Sequence, residues 1–473
     1  MPVPVLTISE MRAWETATWA TGQTEAEVIR RVGKAVARCA LARTRSGDRI
    51  LVLCGRGNNG ADARAALDHL TDRQVEALDV RDPEAALQQL ESALSLQPVL
   101  VIDGLFGIGI NRPLDAAWQR FIERVNAARR PVLSVDVPSG LNADSGEVMG
   151  DAIRATITLT VGAPKVGLLK SRAWPYVGRL EVADDVGLIR PVMRTELNWT
   201  MPEDFAGYPP ARAVHAHKGS CGHVAVLAGS PGYHGAAVLA SRGAQRARPG
   251  LITLITDERV YVPCAAQLQA VMVQVFTRSD AFKSNVTSIL AGPGLAAPGL
   301  DPVRELVSRL WMEATVPVVV DASALAWLSG GSIPMPATRV ITPHPGEAAR
   351  MLETTTEQVQ SDRVSALREL SRRFGNCWVV LKGQQTLVGR SSGEVYVNSS
   401  GNPSLAQGGS GDVLAGYLAG LLAQPDLQND PLTALRFGVW QHGATADALE
   451  ADRSNWVVED LVERIGACGA GQS

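Results

Sequence analysis

The sequence predicts an α/β protein of two domains, each a mainly parallel sheet with helices packed on its faces. Three observations carry this expectation. Short apolar, β-branched runs alternate with Ala-, Leu- and Arg-rich helical stretches, each run of the first half is followed by glycine or an acid, and the alternation lapses between about residues 190 and 213. The length of 473 residues agrees, because one domain takes roughly 100–200 residues.

In the first half, strands are expected at RILVLCG (49–55), VLVIDG (99–104), PVLSVDVPSG (131–140), ATITLTVGAPK (155–165) and GRLEVADDVGL (178–188). In open α/β sheets the carboxyl edge of such strands is where ligands sit. RPVMRTELNWTMPEDFAGYPPAR then reads as a connection, with four prolines and no sustained period. We place the boundary between domains 1–205 and 206–473. The second half begins a new series at HVAVLAGS, GLITLIT, AVMVQVF, SILAGPG, VPVVVDAS, TRVITPHPGE, CWVVLKG and GEVYVN. No repeat relates the halves, so two different α/β domains are expected.

Composition narrows the function classes. A net charge of −3 and a pI near 6.2 give no electrostatic reason for a nucleic acid or an anionic membrane as partner. The six cysteines are scattered and form no C-x-x-C pair, which argues against a disulfide framework or zinc site and suits a reducing compartment. The start, MPVPVLTISEMRAWE, lacks a basic region followed by a long apolar stretch, and no segment reaches the roughly 18 apolar residues of a membrane span. A cytoplasmic protein is expected.

The chemistry of the second half centres on AQGGSGDVLAG (406–416). Glycines without a Cβ let backbone N–H groups converge on an anion, and a helix starting there adds the positive end of its dipole. Asp412 at the mouth of this phosphate cradle is poised for proton transfer. Further turns follow the strands at HKGSCGHVAVLAGSPGYHGAA (217–237), AGPGL (291–295), TPHPGE (342–347) and LKGQQT (381–386). Singly, such a turn, a histidine such as His344 or a lysine such as Lys382 is more often structural. The five together, in this order, are distinctive.

These motifs resemble the carbohydrate-kinase-like dehydratase that repairs hydrated nicotinamide cofactors, a ribokinase-fold domain. In the first half GRGNNGAD (55–62), DGLFGIGINRPL (103–114), VDVPSGLNADSG (135–146) and GAPKVGL (162–168) resemble the NAD(P)H-hydrate epimerase domain, of Rossmann-like three-layer α/β/α fold. In this order they resemble the bacterial bifunctional NAD(P)H-hydrate repair family along nearly the whole chain.

The resemblance implies a reaction. A nucleotide phosphoryl group is transferred to the C6 hydroxyl of the hydrated ring, and phosphate then leaves with restoration of the double bond. It implies Asp412 as general base, ADP on Lys382, Gly383, Gln384, Gln385, Thr386 and Gly411, and the hydrate near Ala237, Gly294, His344 and Asp412. Mg2+ is expected where two polyphosphates meet. The substrates implied are the hydrates of NADH and NADPH, NADHX and NADPHX, with ADP giving AMP and phosphate, in a homo-oligomer.

For the first half, Asn58, Asn59 and Asp62 are an amide-and-acid cluster after a strand, and such oxygens suit a hard cation. The resemblance implies K+ on Asn59, Asp103 and Ser139. It implies the hydrate on Asn58, Asn59, Gly60, Ala61, Asp62, Gly107, Ile108, Gly109, Ile110, Asn111, Arg112, Pro113 and Asp136. Asp136 is the candidate acid/base for exchanging the C6 configuration, with Lys165 as a helper.

The chain departs from the family pattern at Ala61 and Ala63, which stand where glycines are usual, and at Ser323 and Ala326 in DASALAW. An alanine at φ > 0 would add strain of roughly 1 kcal/mol or more. Two other readings use the same residues: a small-molecule kinase of the ribokinase-like superfamily, and a non-catalytic nucleotide-binding module. ADP and ATP stay alternatives as donor.

Overall fold

The computed structural model describes residues 2–190, 195–277, 285–330 and 335–467. It divides into two compact units, Val3–Thr195 and a second formed by Glu196–Ser473 with the first two residues. Residues 191–194 of the expected connection lie outside the described residues. The division falls at 195/196 rather than 205/206, because Leu197–Trp199 is a strand in the second unit's sheet. Phe205, in the short 3-10 turn that follows, is fully buried in the same unit's core.

The first unit is a parallel sheet in the spatial order Gln74–Asp79, Arg49–Cys54, Leu100–Gly104, Val132–Val135, Ile157–Val161, Arg179–Ala183. Side chains alternate across it, and both faces are covered. Ile50, Val52, Cys54 and Ile102 pack on one face with Val32 and Val36 of helix Glu25–Leu41. Leu51, Leu53 and Val101 pack on the other with Leu90 and Phe121 from the helices Pro83–Ser95 and Ala116–Ala127. The helices begin where the sequence stops them locally: Thr24 closes a capping box with Glu27, and Asp82 and Asp115 accept N–H bonds of their first turns. The five expected strands are present. Gln74–Asp79, at the sheet edge, is an addition, its side chains mostly exposed or half-buried.

The second unit's sheet runs Leu197–Trp199, Val395–Val397, Leu387–Gly389, Trp378–Leu381, Arg339–Ile341, Val318–Val320, Ser288–Ala291, His223–Leu227, Leu251–Thr256, Met272–Val275. All neighbours are parallel except Leu387–Gly389, which is antiparallel to both of its own. One face is packed by Ser410–Leu422, His234–Arg246 and Pro431–Asp452 around Val226, Leu254, Leu290 and Val319. Arg363–Arg373 lies against Trp378–Leu381 and Leu387–Gly389. Among the described residues, the cysteines are free and no helix is long and apolar enough to cross a membrane. Cys468 lies outside the described residues.

Candidate functional sites

In the first unit the neighbours Arg49–Cys54 and Leu100–Gly104 lead away in opposite directions, so a crevice opens past their carboxyl ends. Helix Asn58–Ala66 begins there because glycines allow a close approach. A Cβ on Gly60 would lie 2.0 Å from the Gly55 carbonyl oxygen, and one on Gly104 2.4 Å from the Ala63 methyl. Ala61 and Ala63 are themselves helical, so the strain anticipated for φ > 0 does not arise; alanine is the better helix former there.

The crevice holds a cavity of about 920 Å³ lined by Asn58, Asn59, Asp62, Gly107 to Pro113, Asp136 and Lys165. Gly60 and Ala61 are not in its wall: Gly60 is pressed against Gly55 and Ala61 lies within the helix. Asp136 ends its strand at φ +65, a left-handed conformation that Asp tolerates better than most residues. Its Oδ1 accepts from Val161 N–H at 3.0 Å, from the Thr160 hydroxyl at 3.3 Å and from the Lys165 ammonium. No hydrogen bond among the described residues reaches Oδ2, which leaves that oxygen for a ligand. Lys165 is itself 1% exposed and also donates to Val161 O at 2.9 Å.

Beneath the cavity, Asp103 is fully buried and accepts four bonds: Ser139 Oγ at 2.6 Å, Ser139 N–H at 3.0 Å, Ser134 Oγ at 2.8 Å and Leu105 N–H at 3.2 Å. Burial holds its carboxyl above the usual range, and the hydrogen bonds oppose that shift. Asn59 donates its amide N–H to Phe106 O at 2.7 Å, and Ser139 Oγ meets the same carbonyl at 3.3 Å. Asn59 Oδ1 is buried without a hydrogen-bond partner. An orphaned oxygen beside a carboxylate, a hydroxyl and a carbonyl suits a hard monovalent cation.

Burial, with Asp136, Glu15 and Glu25 nearby, pushes Asp62 up to about 8. Burial and the Asp136 charge also raise Glu15. Glu15 and Glu25 line the cavity, and sequence reasoning missed both. The available signal was helical spacing: Glu15 stands four residues after Met11 and three before Thr18, on the buried side of Ile8–Trp19.

In the second unit the switch point lies at His223–Leu227, between Leu251–Thr256 and Ser288–Ala291. Helices His234–Arg246 and Ser410–Leu422 touch along their glycines; a Cβ on Gly416 would lie 1.9 Å from Ala240 O. Ala237 is fully buried behind the Gly229 turn, and Gly294, at φ +66, presses on Tyr233 O at the same turn. Ala237 and Gly294 thus meet around one strand end.

Ser410–Leu422 starts behind Gly409 at φ +95 with no side-chain cap; Ser410 N–H donates to Gln407 O at 3.3 Å, and the next two N–H groups, of Gly411 and Asp412, are open to an anion. Lys382 lies over this start: its Nζ is 3.3 Å from where a Gly411 Cβ would be and 2.7 Å from Asp321 Oδ1. Asp321 Oδ1 also accepts from Thr342 Oγ1 at 2.6 Å. Burial, then Asp321 and Glu347 repulsion, push Asp412 up to about 7 against the opposing pull of Lys382. Burial alone would lower Lys382, but Asp321, Glu347 and Asp412 outweigh it and hold the ammonium charged.

The structure therefore joins Lys382, Gly411 and Asp412 with Asp321 and Glu347, two acids absent from the predicted set. His344 is committed as a helix cap: its Nδ1 accepts from Gly346 N–H at 3.0 Å and Glu347 N–H at 3.4 Å. Burial keeps it below the usual histidine range, against the Glu347 charge, so Nε2 carries the proton as a donor. Ser323 stands in the turn after Asp321, and nothing in the structure explains the loss of the usual acid there. Among the described residues no three His, Cys, Asp or Glu side chains cluster to hold a metal ion.

A family model described as NAD(P)H-hydrate dehydratase matches residues 224–466, and one described as YjeF-related protein N-terminus matches 25–96 and 79–167. A bifunctional NAD(P)H-hydrate repair enzyme of Coxiella burnetii is 34% identical over 486 residues, covering 96% of this chain and 97% of its own. That of Moorella thermoacetica is 33% identical, covering 90% of each. Among solved structures, the ADP/ATP-dependent NAD(P)H-hydrate dehydratase of Bacillus subtilis, co-crystallised with ATP/Mg2+, is 30% identical with a TM-score of 0.50. It covers 56% of this chain and 96% of its own. A ribokinase-like superfamily protein of Enterococcus faecalis, 22% identical with a TM-score of 0.50, covers 59% of this chain and 97% of its own and supports the fold. Similarity end to end, with both family models in the same order as the two sites, establishes that the chain belongs to the bifunctional NAD(P)H-hydrate repair enzyme family.

Proposed function

We propose that the chain repairs hydrated NADH and NADPH, exchanging the R and S hydrates at C6 in its first unit and dehydrating the S form in its second. The observation that carries this reading is Asp412, a half-buried carboxyl whose proton affinity is raised to about 7, one residue past Gly411 at an uncapped helix start beneath the Lys382 ammonium.

In the second unit Asp412 takes the proton of the C6 hydroxyl, whose oxygen attacks the terminal phosphorus of ADP. The bond to AMP breaks, the helix N-terminus and Lys382 hold the charge of the transferring group, and phosphate then leaves C6 as a C5 proton is lost. Lys382 to Thr386 and Gly411 are the nucleotide's residues; Ala237, Gly294, His344 and Asp412 the hydrate's. Mg2+, when bound, would neutralise phosphate charge, and Asp321 and Glu347 are the carboxylates that would hold it.

In the first unit the ring nitrogen expels the C6 hydroxyl and water returns to the opposite face. Asp136, fixed by Lys165, handles the proton through its free Oδ2. Asn59 Oδ1, Asp103 and Ser139 would hold K+, which would supply positive charge beneath the cavity. A cytoplasmic homo-oligomer remains part of this reading on family grounds.

The test is absorbance at 340 nm after adding the full chain, Mg2+ and ADP or ATP to mixed R and S hydrates of NADPH. Full recovery supports both activities, and the faster nucleotide identifies the donor. A stable phosphorylated product in place of free phosphate and NADPH would select the kinase reading, and no recovery despite nucleotide binding the non-catalytic one.

A further inference from the structure

The backbone of the loop Lys382–Thr386 is held by an arginine from outside it. Arg363, the first residue of helix Arg363–Arg373, is 7% exposed, and its guanidinium faces the backbone of the loop. One terminal nitrogen donates to Leu381 O at 3.0 Å and Lys382 O at 3.1 Å; the other donates to Gln385 O at 3.3 Å and to Gln384 O. The loop cannot take this shape by propensity alone: Gly383 is at φ +124 and Gln385 at φ +54. An added Cβ on Gly383 would also lie 3.4 Å from the guanidinium.

C=O and N–H point in opposite directions across each planar trans peptide. Four carbonyls gathered on one cation therefore turn the following N–H groups to the far side of the loop. Lys382 N–H obeys this and reaches Pro343 O at 2.9 Å. Those of Gly383 and Gln385 face away from Arg363 in the same sense. The planar fork of guanidinium can serve four acceptors at once, which a lysine ammonium at this depth cannot do in the same geometry.

We propose that Arg363 is a positioning residue for the nucleotide: it does not touch the ligand but fixes the Lys382–Thr386 loop so that its N–H groups and the Lys382 ammonium face the phosphates. The inference rests on the nucleotide reading of this loop given above.

The experiment is calorimetric titration of the full chain with ADP and Mg2+, beside dehydration kinetics, for wild type, Arg363→Met and Arg363→Lys. Wild type is expected to bind ADP. Arg363→Met should raise the Kd and KM for ADP about tenfold or more, with kcat at saturating ADP within a few-fold. First-unit epimerase activity should not change. Arg363→Lys should fall between, and methylguanidinium should partly restore ADP affinity to Arg363→Ala, which a merely structural loss would not allow. A folded Arg363→Met chain with wild-type ADP affinity overturns the proposal. Should that variant not fold, wild-type affinity in Arg363→Lys overturns it. A wild-type chain that does not bind ADP removes the nucleotide reading itself, and the proposal with it.

Discussion

If Asp412 is the base of the dehydration, the pH dependence of that step is set by its burial and neighbours. Only the ionised carboxyl can accept the hydroxyl proton, so the rate must rise with pH through its folded pKa of about 7. A single group with that midpoint is ionised to about one eleventh at pH 6 and about ten elevenths at pH 8, which predicts a rise in rate of about tenfold across the interval. Glu347 is one of the charges that raise Asp412. Glu347→Gln removes the charge and keeps an acceptor for the His344 N–H that Glu347 now receives at 2.8 Å, so the midpoint should move to lower pH with the cap intact. Asp412→Asn should lower the plateau rate by about 10²- to 10⁴-fold. The assay is recovery at 340 nm from pure S hydrate under saturating nucleotide, which bypasses the first unit. A flat wild-type profile between pH 6 and 8, or an unchanged midpoint in Glu347→Gln, would refute the assignment of Asp412 as base and Glu347 as its neighbour.

Three further outcomes are expected. Asp136→Asn should stop recovery from a mixed substrate at the S fraction, apart from spontaneous epimerisation, while dehydration of pure S hydrate proceeds at the wild-type rate. The folded pKa of Asp62 is raised to about 8, so the folded state holds a proton that the unfolded chain has already lost. Stability of the first unit should therefore fall as pH rises from about 4 toward 8, and Asp62→Asn should flatten that decline in denaturant titrations. Ala61→Gly, at a helical position, should cost about 1 kcal/mol of stability, seen as a lower denaturation midpoint, and should not improve epimerase activity.

What the sequence made legible depends on what each residue recognises. Gly60, Gly104 and Gly416 stand where a Cβ would collide with backbone or a neighbouring methyl, so the glycine pattern marked a strand-to-helix junction in the first unit and a close helix–helix contact in the second. The strands were legible because full burial demands continuous apolar runs such as ILVLC and VVV. Gln74–Asp79 was not, because an edge strand with its polar residues outside has neither a continuous apolar run nor a turn signal. Leu197–Trp199 was hidden by its three-residue length among prolines. Arg363 was invisible for a different reason: it binds backbone carbonyls, and an arginine that does so looks in sequence like any helical surface charge. Glu15 comes from a helix that precedes the first sheet strand, so nothing in the strand-end motifs pointed to it. At His344 the motif gave no sign that the side chain's own N-cap bonds account for much of its position.

Both sites spend conformational energy at the same kind of place. Asp136 sits at φ +65, Ala322 directly after Asp321 at φ +52, and Gln385 in the Lys382 loop at φ +54. Each left-handed residue other than glycine costs roughly 1–2 kcal/mol; five others, among them the helix C-cap Glu353, serve turns away from the two sites. At the sites the surroundings impose the conformation. Leu159 O takes the Asp136 N–H at 2.8 Å and Lys165 holds its carboxylate from the side. Arg363 draws in the carbonyls of Gln384 and Gln385. A strand that ended in an extended residue would send the next side chain along the sheet direction; the left-handed step instead turns the chain sharply at the carboxyl edge. At Asp136 this puts a carboxylate on a cavity wall with one oxygen tied and one open. At Ala322 it redirects the chain immediately behind Asp321, whose carboxylate is already fixed by Lys382 and Thr342. The strain is thus the local cost of fixing these charged groups in place, and in the proposed reactions that preorganisation would let their electrostatics act without rearrangement.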